Sequence, residues 1–246
     1  MKLIILPTPA DTAAAAARHV ITHINADPRT VLGLPTGGTP LGMYARLAQA
    51  VRDARVDMTR ITTFNLDEYC GLPPGDPQSY LTFMRDNLYT PCALTPAQTH
   101  IPDGTAPDPD AEALAYDAAI RAAGGIALQV LGIGHNGHIG FNEPGTPPGA
   151  RTHAVRLTPE TRQANARFFA TPADVPTRAI TMGIGTILDA REILLLANGP
   201  DKAAILAAAL HGPVTPANPA SLLQSHPNVT VIADTAAAAQ CPPAQL

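Results

Sequence analysis

The stretch ALQVLGIGHNGHIGFNEPG (127–145) decides the fold. Its first half is a short apolar run, with no polar residue at every second place. A strand of that kind is buried on both faces, as in a parallel sheet covered by helices. Its second half packs two histidines, two asparagines and a glutamate among glycines, directly after the strand.

Working outward, the same unit recurs along the chain. Strands are expected at 3–6, 30–34, 61–66, 127–134, 179–183, 192–197 and 229–233. Helices are expected at 10–26, 40–54, 79–89, 109–123, 185–190, 201–210 and 218–225. Alternation of this kind implies an α/β protein, doubly wound around a mostly parallel sheet with helices on both faces. The 246 residues suit a single domain, 1–246, and neither an internal repeat nor a long linker interrupts them. Ligands of such folds lie beyond the carboxyl ends of the strands, so the residues after each strand carry the functional argument.

Four strand ends stand out. After 30–34 comes PTGGTPLGMY (35–44), where Gly37 and Gly38 free the backbone to turn its N–H groups toward an anion before a helix begins. An ordinary strand-to-helix turn explains the same residues, and the loop is neither a Walker A loop nor a GxGxxG fingerprint. After 61–66 come Asp67 and Glu68, a pair able to supply a general base and equally able to cap a helix. After 127–134 come His135, Asn136, His138, Asn142 and Glu143. A histidine moves protons near neutral pH, and a carboxylate orients it. A metal site is the rival reading, but two histidines three apart in a glycine-rich loop lack the helical HExxH geometry. After 192–197 comes NGPDKAAIL, with Lys202 in the first turn of a helix. A cation there opposes the helix dipole unless an anion binds at that end. Lys202 is one of two lysines among sixteen basic residues, so a general preference for lysine does not account for it.

Bulk properties narrow the class. Hydrophobic residues make up 46% and charged residues 15%, a core-forming composition. A net charge of −4 and the lack of a basic cluster argue against nucleic acid. No apolar run reaches the ~20 residues that a membrane span needs. Cys70, Cys92 and Cys241 form neither a metal pattern nor a disulfide framework. The start MKLIILPTPAD is too short for a signal peptide, so a cytoplasmic protein is expected. The alanine run before CPPAQL marks 236–246 as an expected flexible tail.

Several strings together resemble the glucosamine-6-phosphate deaminase family: LGLPTGGTPLGMY, TFNLDEYCGL, SYLTFMRDNL, GIGHNGHIGFNEPG, LTPETRQANARFF and AITMGIGTILDAREILLLANGPDKA. FNEPG after a GxGxxGH segment is the most specific. The resemblance spans nearly the whole chain and implies a modified doubly wound (Rossmann-like) sheet. It also implies an enzyme, a hydrolase acting on C–N bonds, that isomerises and deaminates glucosamine 6-phosphate to fructose 6-phosphate and ammonia in amino-sugar breakdown. On that resemblance Asp67 is the base between C2 and C1, and His138 opens the sugar ring with Asn136 and Glu143 assisting. Some members carry aspartate at the place of Asn136, so orienting the histidine is expected to fall mainly to Glu143. The phosphate is expected at Arg167 and Lys202, with the Gly37-Gly38-Thr39 loop. No cofactor or metal is implied, the partner is a small sugar phosphate, and a homo-oligomer is compatible. The segment 145–177, which joins the catalytic and phosphate residues, is expected to act as a lid.

The related 6-phosphogluconolactonases share a GxGxxGH segment. Their acidic motif usually continues with arginine, where this chain has Tyr69. A non-catalytic sugar-phosphate sensor is the remaining alternative, but Asp67, His138 and Glu143 are all present. Some deaminases are hexamers activated by N-acetylglucosamine 6-phosphate. His153 and Val155 stand where cationic effector contacts would be expected, so no strong activation is anticipated.

Overall fold

In the computed structural model, residues 1–242 are described. The strands are β1 (Lys2–Leu6), β2 (Val31–Leu34), β3 (Thr62–Asn65), β4 (Asp67–Tyr69), β5 (Thr99–His100), β6 (Leu128–Gly132), β7 (His153–Arg156), β8 (Arg178–Thr181), β9 (Glu192–Ala197) and β10 (Val229–Asp234). The helices are α1 (Pro9–Ala26), α2 (Leu41–Arg52), α3 (Tyr80–Met84), α4 (Pro109–Ala122), α5 (Pro159–Asn165), α6 (Ile184–Leu188) and α7 (Ala203–His211). Thr8, Asp108 and Thr158 each cap a helix that opens on proline, so the hydroxyl or carboxylate takes a free amide and the ring pre-sets the first turn.

Seven strands form one parallel sheet in the order β1-β10-β9-β6-β2-β3-β5. Alternate residues of each inner strand serve opposite faces. Ile193 and Leu195 pack toward α4, α6 and α7, whereas Leu194 and Leu196 pack toward α1 and α2. Both faces are therefore covered, as the unbroken apolar runs require. The chain winds outward from β2 through β3 to β5, then returns to β6 on the other side of β2 and winds the opposite way. The direction of winding thus reverses between β2 and β6, and that crevice is where a doubly wound sheet receives its ligand.

A second, antiparallel sheet, β4-β8-β7, sits beyond the main one, pairing Asp67 and His153 with Thr181. Its strands have only three or four residues, too short to leave a clear pattern in the sequence. The segment 179–183 was expected to be an ordinary member of the sheet; instead, it contributes β8 to this small one. Within the expected lid, 153–156 is strand β7. Two helices also differ. Residues 79–89 begin as α3 and widen into a π-helical turn, Arg85–Tyr89. Of residues 218–225, Pro219–Ser225 form tight 3-10 turns, and Ala220 at their start donates its free N–H to Gly137 O. Of the expected tail, Ala237 and Ala238 are packed in the core, and 243–246 lie outside the described residues. Among the described residues no helix is long and apolar enough to cross a membrane.

Candidate active site

A cleft of about 310 Å³ opens at the carboxyl ends of β2, β3, β6 and β9. It brings together Gly37, Gly38, Thr39, Asp67, His138, Arg167 and Lys202. His135 also lines it, and Asn136 and Glu143 stand behind His138, Asn136 bonded to its ring and Glu143 to Asn136.

Asp67 opens β4, and Glu68 follows it. Successive strand residues point to opposite sides, so the two carboxylates part company. Asp67 faces the cleft, 6% exposed. Glu68 turns away and accepts the N–H groups of Tyr69, Tyr80 and Leu81 at 2.8, 2.9 and 2.8 Å, which fixes the start of α3. Burial, with the neighbouring Glu68 charge, raises the Asp67 pKa to about 8. Gly140 lets the next loop pass close by: its φ is +57°, and a side chain there would strike the Thr181 hydroxyl.

The glycine-rich loop after β6 is shaped around one imidazole. The His138 ring lies against Gly134, where a Cβ would come within 2.2 Å of ring atoms. Nδ1 of His138 is 2.7 Å from Asn136 Oδ1, and Asn136 Nδ2 donates to Glu143 Oε2 at 2.7 Å. This network assigns the protons. A carboxylate only accepts, so the Asn136 amide N–H₂ faces Glu143 and its carbonyl faces His138. Nδ1 must then carry hydrogen, and Nε2 of the neutral ring keeps a free lone pair. Burial lowers the His138 pKa, opposed by the Glu143 charge and reinforced by His135 and Lys202. Glu143 itself is 3.7 Å from Nδ1. The expectation that Glu143 would orient the histidine directly is therefore corrected: Asn136 does so, and Glu143 orients Asn136.

Thr161 on α5 donates its hydroxyl to the other oxygen of Glu143. Thr161 and Tyr80 both line the cleft, and neither stood out in the sequence. Thr161 reads there as the third residue of a capped first turn, and Tyr80 as a core aromatic. Only the packing of distant segments reveals the other role.

The cleft also carries two cations. Lys202 occupies the N-cap position of α7, at the end of a short 3-10 turn after β9, and lines the cleft half-buried. Burial lowers its pKa, with Asp201 opposing. Arg167 arrives on the 3-10 turn after α5, its guanidinium 4.7 Å from the Phe168 ring centre. The N–H groups of Gly37, Gly38 and Thr39 donate to no acceptor among the described residues. Two cations and three free amides lining one cleft suit a phosphate-sized anion.

A profile described as "Glucosamine-6-phosphate isomerases/6-phosphogluconolactonase" matches residues 7–232. A glucosamine-6-phosphate deaminase of Halothermothrix orenii is 50% identical over 97% of this chain and 99% of its own. One of Hahella chejuensis is 48% identical over 98% of this chain and 92% of its own. The solved structure of a monomeric glucosamine-6-phosphate deaminase superposes with a TM-score of 0.95 at 44% identity, covering 98% of this chain and all of the other. The 6-phosphogluconolactonase of Trypanosoma cruzi superposes at 0.76 with 20% identity over 97% and 96% of the two chains, a likeness of fold alone.

Proposed function

The chain belongs to the family of glucosamine-6-phosphate isomerases and 6-phosphogluconolactonases, and from that membership we infer that it converts glucosamine 6-phosphate to fructose 6-phosphate and ammonia. The observation that carries the reading is the pairing of Asp67 with His138 across one cleft, a buried carboxylate and an imidazole with Nε2 free.

The sugar enters with its phosphate toward Arg167, Lys202 and the Gly37-Gly38-Thr39 loop. His138 Nε2 moves the proton between O1 and O5 that opens the ring, while Asn136 and Glu143 hold the imidazole in the required tautomer. Asp67 takes the C2 proton to give an enol-amine and returns a proton to C1. Water then displaces ammonia from the resulting imine, which leaves fructose 6-phosphate. General acid–base groups of this kind each contribute about 10²–10⁴-fold. The phosphate lies away from the reacting carbons, so its binding energy serves to orient them.

The surroundings of Tyr69 favour deamination over lactone hydrolysis. Where the lactonase motif usually continues with arginine, Tyr69 is buried beside Tyr80, Phe141 and Phe169. An arginine there would have to enter this aromatic box in place of the ring. Supplying the purified protein with glucosamine 6-phosphate should give ammonia and fructose 6-phosphate in equal amounts. Hydrolysis of 6-phosphogluconolactone without ammonia release from the amino sugar would reverse the assignment.

A cytoplasmic location belongs to the same proposal, since phosphorylated sugars are charged and do not cross membranes unaided; cell fractionation tests it. Light scattering of the purified protein decides between a monomer and a homo-oligomer.

A further inference from the structure

A second cluster of chemistry-bearing side chains lies at the opposite end of the sheet. His19 and His23 are four apart on α1, beside the buried stripe formed by Ala16, Val20 and Ile24. That spacing puts both rings on one helix face. Glu192, the first residue of β9, meets them. His19 Nε2 is 2.6 Å from Glu192 Oε1, and His23 Nε2 is 3.0 Å from Oε2. All three ligand atoms lie within 4.8 Å of one another. We propose that His19, His23 and Glu192 form a binding site for a late first-row divalent cation, Zn²⁺ above all, separate from the catalytic cleft.

The donor set is two imidazole nitrogens and one carboxylate, the combination that zinc takes with one coordination position left for water. Zinc bonds of about 2.0–2.2 Å set tetrahedral ligand atoms roughly 3.3 Å apart. The two nitrogen–oxygen pairs, at 2.6 and 3.0 Å, therefore need to spread by well under ~1 Å, and the nitrogen–nitrogen pair, within 4.8 Å, to close by about 1.5 Å at most, all within the reach of side-chain torsions. On binding, each Nε2 hydrogen directed at the carboxylate passes by way of solvent to Nδ1, so that each ring ligates as a neutral imidazole. No arginine or lysine pairs with Glu192 among the described residues, so no protein cation competes for it. Asn228 Nδ2, 3.4 Å from Oε2, is an outer partner that steadies the carboxylate. The side chains are 25%, 26% and 15% exposed, sheltered yet open to an incoming ion.

The helical run between the two histidines reads VIT, without the glutamate that serves as base in HExxH proteases. A bound ion would therefore join α1 to β9 and perform no hydrolysis. Strand β9 separates it from Lys202, so the cleft is roughly 20 Å away at about 3.3 Å per residue. No metal is expected from the sequence, which shows this site only as the HxxxH spacing in α1.

The test uses the untagged full-length chain, stripped of metal by a chelator and titrated with Co²⁺ while visible absorption is read. One equivalent should produce the d–d bands of a low-coordinate nitrogen–oxygen site, and Zn²⁺ should displace them. H23A and E192Q should each weaken binding more than about 100-fold, beyond the 10–100-fold typical of losing an outer partner. H138N should bind as the wild type does. Zn²⁺ should raise the Tm of the wild type and leave that of E192Q unchanged. The proposal fails if the wild type takes up no equivalent, if H23A and E192Q bind as tightly as the wild type, or if H138N is the variant that loses the ion.

Discussion

At the scale of single residues, the cleft depends on where two protons reside. Asp67 is a base whose pKa of about 8 exceeds that of an exposed carboxyl. The acid limb of kcat/KM should therefore rise with pH through about 8. The limb of kcat should lie lower, because the ammonium at C2 of bound substrate favours the carboxylate; a pH profile of both constants checks this. D67N should reduce turnover by about 10³-fold or more while substrate protection against thermal unfolding persists. The same variant tests linkage. A carboxyl with a raised folded pKa supports the fold fully below its unfolded value near 4, and that support is lost as pH rises through about 8. D67N should thus gain Tm relative to the wild type between pH 5 and 8. K202A should raise KM by about tenfold or more and change kcat little, because the phosphate contact is made equally in ground and transition states. The identities of these side chains were legible as strand-end residues. The relay was less so: the sequence displayed Asn136 as a weakened carboxylate, whereas its amide has both a carbonyl for His138 and an N–H₂ for Glu143.

At the scale of elements, α5 ties the cleft to the segment 145–177. Thr161 holds Glu143, and Arg167 lies on the turn that continues the same helix. We propose that the lid movement is confined to the part after β7, because 153–156 is paired into the small sheet and Thr152 and Arg151 are bonded to buried Asp117. T161V should lower kcat/KM by about tenfold, from loss of a hydrogen bond to a charged group that helps to seat α5; steady-state kinetics at pH 7 reads it. Crystal structures with and without a sugar phosphate should differ mainly between 157 and 177, and identical positions would count against the movement. Long elements were legible because their periodicity or unbroken apolar runs are strong signals. Strands β4, β7 and β8 are not legible as a sheet, since three or four residues hold no period and β4 pairs with β8 from more than a hundred residues away. The turns of 219–225 escaped for a related reason: bonds to Gly137 and to the end of α7 outweigh local helical preference.

At the scale of the whole molecule, the parallel sheet sorts the chemistry. Its carboxyl edge gathers the catalytic cleft, and its amino edge gathers His19, His23 and Glu192. The first was legible because strand-end loops are where this architecture places ligands; the second was not, since it needs the packing of α1 over β9. Position 153 is tied down by β7, with His153 Nδ1 bonded to Arg151 O, and presents no lysine or arginine. Rates should therefore follow a hyperbolic dependence on glucosamine 6-phosphate. Adding N-acetylglucosamine 6-phosphate should leave the half-saturation point unmoved, a result that a kinetic titration at several effector concentrations checks.

The bond from Leu157 N to Thr177 O closes the stretch between them at its base, 2.9 Å across. The chain leaves and re-enters the frame at neighbouring rungs of β7 and β8, so the stretch is an Ω-shaped cassette with a narrow stem. Such a cassette can be transplanted between relatives without altering the path of the chain anywhere else. Grafts there that keep Thr161 on Glu143 would exchange Arg167 and its surroundings while Asp67 and His138 stayed in place, so the grip on the phosphate end can diversify without moving the groups that carry protons.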